Sequence, residues 1–156
     1  MRQTGVVGEV LCPVLVGRRA EIQALAPGGV IVVVEWAWER FDEATARWCF
    51  GRLPEPGAGD PGWLHERQAQ WAASGQSWDT CLRSWAEAES LHTGQAILDA
   101  LETRFRRRHL SFGPYFFPDL AEVSEAGEQA AIDVGLIRAN RITYSACKGT
   151  GPAAPA

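Results

Sequence analysis

Leu25-Ala26-Pro27-Gly28-Gly29-Val30-Ile31-Val32-Val33-Val34-Glu35-Trp36 is a stretch in which a helix-stopping Pro-Gly-Gly opens directly onto five β-branched residues. Such a run reads as a strand. Its hydrophobicity is continuous rather than alternating. That predicts burial on both faces, as in a parallel sheet covered by helices. The run ends abruptly at Glu35-Trp36-Ala37-Trp38-Glu39. In open α/β sheets ligands bind beyond the carboxyl ends of the strands. Glu35, Trp36 and Trp38 are therefore candidate binding residues. Glu35 is either a carboxylate that contacts a ligand or acts as a base, or a solvated strand-end residue. The two indoles either line a pocket for a flat molecule or fill the core.

Upstream, Arg18 to Leu25 has the pattern of a short helix, and Val6 to Val16 is β-prone but interrupted by Pro13. Downstream, Asp42 is placed to cap a helix running to about Arg52. A Pro- and Gly-rich loop then spans 53–62. A helical block follows without a strand. It begins at Trp63, restarts behind a Ser77 cap with Trp78, Leu82 and Trp85 at helical spacing, and restarts again behind Thr93 or Gly94. Arg104, Arg106, Arg107 and Arg108 suit the end of its last helix. Arg107 to Phe112 and Arg141 to Cys147 alternate as strands, and Ser124 caps a helix between them. Tyr115, Phe116 and Phe117 lie in a loop between prolines, and either pack under the helical block or line a pocket. His92 sits at the break between two helices and is the preferred general base among the three histidines. The alternative for it is a surface or capping role.

The chain has 156 residues, 46% hydrophobic and 22% charged, with a net charge of −4. These proportions suit one globular domain and exclude wholesale disorder. They also argue against a nucleic-acid partner bound through bulk positive charge. The four cysteines include no Cys-x-x-Cys pair, so no metal is expected and free thiols in a reducing cytoplasm are. No run approaches a membrane span, and the N-terminal charges lie on the wrong side of the apolar run for a signal sequence.

The segment from Leu25 to Trp36 resembles the L-x-P-G-G, strand, Glu stretch of class I S-adenosylmethionine-dependent methyltransferases, where it forms the fifth strand. Trp36 to Asp42 is similar to a bacterial small-molecule subset of that family. The resemblance covers residues 20–148. It implies an α/β fold: a partial Rossmann-like sheet of strands resembling the fifth to seventh, the last pair antiparallel. Arg107 to Phe112 resembles the sixth strand, and Arg141 to Cys147, after Gly135-Leu136-Ile137-Arg138-Ala139, the seventh. Residues 60–107 form a helical insertion or cap, residues 1–19 do not match, and 149–156 form a disordered tail.

The resemblance implies S-adenosylmethionine as cofactor of the intact relatives and a small-molecule acceptor held by Glu35, Trp36, Trp38, His92 and Tyr115. The family's cofactor site needs a Gly-rich turn after its first strand and an acidic residue after the next. No G-x-G precedes residue 28, and Gly57-Ala58-Gly59 lies in a proline-rich loop. At ~30 residues per strand-helix-strand unit, seven strands would overrun this length. The expectation is thus the acceptor-side part of such a domain, truncated or a true half-domain, which neither binds the cofactor nor transfers a methyl alone. The alternative is a non-catalytic binding or interaction module. A sheet ending at the Val30 strand exposes an edge, through which a homodimer or a complementing chain would pair.

Overall fold

The computed structural model describes residues 28–55 and 62–148. The expectations for the Val6–Val16 run, the helix over 18–25, the unmatched 1–19 region, Cys12, the Gly57–Gly59 loop and the 149–156 tail fall outside them.

The described chain is a mixed α/β structure. Strand β1 (Val30–Trp36) is followed by helices α1 (Glu43–Phe50), α2 (Trp63–Ser74), α3 (Trp78–Ala88) and α4 (Gly94–Glu102). Strand β2 (Phe105–Gly113), helix α5 (Glu125–Asp133) and strand β3 (Arg141–Lys148) complete it. The helix starts are local events. Asp42, Ser77, Thr93 and Ser124 are each N-caps whose side chains accept from the backbone N–H three residues on, at 2.9, 3.3, 3.1 and 3.1 Å. At the other end of α2, Gly75 adopts φ 64°, a left-handed stop that costs glycine little.

The three strands form one sheet in the order β1-β3-β2. β3 lies antiparallel to both neighbours, with Val33 opposite Tyr144 and Leu110 opposite the same residue. The antiparallel pairing expected of the last two strands is therefore present. The burial expected of β1 is not. Val30, Val32 and Val34 are 47, 45 and 41% exposed, while Ile31 and Val33 pack inward. The valine run satisfies the backbone preference for a strand on either face, and that preference does not specify what covers it. The helical block also closes earlier than expected. α4 stops at Glu102, and Arg106, Arg107 and Arg108 are exposed on β2 rather than closing a helix.

Two apolar clusters organise the molecule. On the inner face of the sheet, α4 contributes Ile97, Leu98 and Leu101 against Ile142, Tyr144 and Ala146 of β3. Beyond the carboxyl end of β1 lies a second cluster built on Phe41, Leu64, Trp78, Leu82 and Phe116. All seven tryptophans belong to it. Trp36 carries β1 directly into this aromatic body, where α1, α2 and α3 close around it.

Candidate functional site

The site is assembled where β1 ends. Glu35 is 9% exposed, and burial raises its carboxyl from the ordinary 4.5 to about 7, opposed only by a hydrogen bond from the Trp36 backbone. The solvated reading of Glu35 is thereby set aside. A carboxyl raised toward neutrality is suited to general acid–base work.

Trp36 points the other way, as successive strand residues do. Its ring stacks on Tyr115 at 5.7 Å and 9°. It meets Trp63 edge-on at 5.3 Å and lies 5.9 Å from Trp85. The Tyr115 hydroxyl is pushed up to about 12 by burial and by the negative charges of Asp119 and Glu35. Glu35, Trp36 and Tyr115, separated by up to 80 positions in the chain, thus share one neighbourhood. Trp38 joins the same aromatic cluster. His92 does not: it is exposed between α3 and α4 and belongs to neither apolar cluster.

The Tyr115 loop is held by a group that the sequence did not single out. Glu128 of α5 is fully buried, and its carboxylate accepts from the backbone N–H groups of Tyr115, Phe116 and Phe117 at 2.7, 2.9 and 2.7 Å. Three charge-assisted bonds to consecutive amides fix the loop's path and with it the Tyr115 ring. Arg67 of α2 was also missed. It is buried, and its guanidinium carbon lies 4.7 Å from the centre of the Trp85 ring. The spacing Trp63, Arg67, Trp71 along one helix face was the only available signal.

The strand end carries no glycine-rich turn of the kind the resemblance assigns to the S-adenosylmethionine site. The turn after β1 contains no glycine, and four of its amides are bonded to backbone carbonyls. Ala37 donates to Asn140, Arg40 to Ala37, Phe41 to Trp38 and Asp42 to Arg40. Among the described residues, no group of three or more His, Cys, Asp or Glu is placed to hold a metal ion. No helix among them is long and apolar enough to cross a membrane.

Glu35 has a measurable signature. Between pH 4.5 and about 7 the folded chain retains a proton that the unfolded chain has released. The stability this group contributes is therefore full below that window, falls as pH rises through it, and is gone above it. Glu35→Gln removes the loss. At pH 8 the variant should be more stable than the parent by about 2–3 kcal/mol, and at pH 4 the two should nearly coincide. Urea unfolding at both values measures it.

No family model, no curated protein and no solved structure matches the chain.

Proposed function

We propose that residues 20–148 are the acceptor-side part of a class I methyltransferase-like domain, and that their own activity is to bind a small planar molecule at the carboxyl end of β1. The observation that carries this reading is the Trp36–Tyr115 ring stack at the carboxyl end of β1, with the buried Glu35 carboxyl on the adjacent strand residue. The order of elements supports it too: Pro-Gly-Gly, strand, helical block, then an antiparallel pair.

In this reading the ring faces position the acceptor, and exclusion of water strengthens each polar contact it makes. Glu35 takes the proton from an acceptor hydroxyl or amine as it becomes a nucleophile. The cofactor belongs to a part of the intact domain that these residues do not supply, so the chain alone transfers no methyl group. The free thiols of Cys49, Cys81 and Cys147 support a cytoplasmic setting.

A second reading, a non-catalytic interaction module, is favoured by a contrast between the two sheet edges. β2 carries Arg106, Arg107, Arg108 and a register irregularity before His109, devices that keep an edge from pairing. β1 has none of these, and presents Val30, Val32 and Val34 to solvent. In that reading β1 pairs with a second copy or a complementing chain.

Calorimetric titration with S-adenosylmethionine, on a sample whose mass is fixed by light scattering, tests both. The expected result is a monomer that gives no binding heat. One-to-one micromolar binding would sink the claim that the cofactor part is missing. A stable dimer would favour the second reading.

A further inference from the structure

The two faces of β1 are treated differently. Ile31 and Val33 pack inward on the cluster that holds Ile97, Leu98 and Leu101 of α4. Val30, Val32 and Val34 stand on the other face, 47, 45 and 41% exposed. Thr143 and Ser145 of β3, opposite Val34 and Val32, share that face and are small. A row of β-branched apolar residues with a shelf of small neighbours is the surface on which a sheet takes a covering layer.

The chain just before β1 limits what can reach it. Gly28 turns with φ 77° and donates to the Lys148 carbonyl at 3.2 Å, and the Lys148 N–H returns to the Gly29 carbonyl at 3.0 Å. The backbone is thus pinned to the end of the sheet from Gly28 onward. Arg18 to Leu25 has the sequence of a short helix, and Ile22, Leu25 and Ala26 are spaced three and four apart on one side of it. Only residues 26–29 separate that helix from β1, an ordinary length for a helix-to-strand connection. A helix tethered so closely folds back along the strand on one of its two faces, and α4 occupies the inner one. The lengths agree. Eight helical residues span ~12 Å, and Val30 to Val34 span ~13 Å. A helix this short does not persist in water unless its apolar side is covered.

We infer that the outer face of β1 is a docking surface for residues 18–26 of the same chain, with Ile22, Leu25 and Ala26 set against Val30, Val32 and Val34. The valine face is then internal to the molecule and not offered to a partner. The backbone edge of β1 stays open for the pairing considered above. This inference does not rest on the acceptor-site reading and stands if that reading fails.

The test is thiol labelling of the full chain with iodoacetamide, followed peptide by peptide by mass spectrometry. Val32→Cys should react about tenfold more slowly than Val134→Cys, whose parent side chain is 77% exposed on no apolar face. Adding Ile22→Asp and Leu25→Asp together should remove that protection and bring the two rates within about twofold. Native Cys49, fully buried in the aromatic cluster, should stay unlabelled throughout, which separates undocking from unfolding. If the double aspartate variant labels at Cys49, the milder pair Leu25→Ala and Val32→Ala decides. Unfolding constants that depart from additivity by about threefold or more support docking, and additive ones overturn it. Val32→Cys labelling as fast as Val134→Cys overturns the inference. So does protection that survives both aspartates while Cys49 stays unlabelled. Protection that is lost on dilution, together with a dimer by light scattering, would assign the face to a second copy and overturn it as well.

Discussion

Glu128→Ala should lower the melting temperature by roughly 10–15 °C, the largest effect expected of any single polar substitution here. The carboxylate is the only acceptor for three consecutive backbone N–H groups, all of them in a loop enclosed by α5 and the aromatic cluster. Each buried donor left without a partner costs about 1–3 kcal/mol, and water entering the vacated space recovers part of it. A net loss of about 3–5 kcal/mol follows. Glu128→Gln keeps one acceptor oxygen and turns an amide N–H toward donors, so its loss should be smaller, about 2 kcal/mol. The substitution also tests whether the loop sets the site. Tyr115 stacks on Trp36 at 5.7 Å only while its backbone is held, so near-ultraviolet circular dichroism should change in both variants before global unfolding. An unchanged spectrum and a melting point within 2–3 °C, the shift of ~1 kcal/mol, would show the loop to be held by apolar packing alone.

Gly94→Ala should be destabilising by about 2 kcal/mol, although the same change in an exposed helix gains up to about 1 kcal/mol. The position opens α4 where that helix meets the strand end. A Cβ there would lie 2.7 Å from Ile142 Cδ1, 2.8 Å from Ala37 Cβ and 3.0 Å from a Glu39 carboxylate oxygen. Ile142 and Ala37 are both fully buried, so neither has room to give. The helix must move outward instead. Doing so strains the two bonds by which Glu39 accepts from the Gly94 and Gln95 amides at 2.9 and 3.1 Å. It also loosens Ile97, Leu98 and Leu101 from the sheet. Gly94→Val adds two methyls to the same contact and should cost at least 4 kcal/mol. Urea unfolding of the two variants measures the series, and a stabilised Gly94→Ala would mean that α4 is free to shift.

The two substitutions differ in how visible they are in the sequence. Gly94 was legible as one of two candidate starts of the third helix, but not as a contact point, because nothing near it in the chain is Ile142 or Ala37. Glu128 stands in the first turn of α5, where an acid complements the helix dipole, and nothing in the sequence marks it further. Its reach into the loop 11 to 13 residues earlier was not legible. The aromatic residues followed the same course. Trp36 and Tyr115 were each singled out, and their stacking was open. Trp63 was read only as the start of the helical block and Trp85 as a helix-stripe residue, and both lie against Trp36.

β1 shows where the one-dimensional pattern misleads. Five β-branched residues after Pro-Gly-Gly make a strand whatever surrounds them, because their side-chain restrictions favour extended backbone. The same run says nothing certain about cover. One face packs on α4 and β3, and the other shows three valines.

By itself the sequence determined the events that close over about three residues. These are the caps at Asp42, Ser77 and Ser124, the start of α4 at Thr93 or Gly94, and the strand character of β1, β2 and β3. A hydrogen bond from a side chain to a backbone N–H three positions on depends on local geometry alone. The tertiary structure alone decided that seven tryptophans form one body, that burial pushes the Glu35 carboxyl up to about 7, that Glu128 holds a loop, and that Arg67 lies against Trp85. Desolvation depends on which distant segments exclude water from a group, and no local pattern records that.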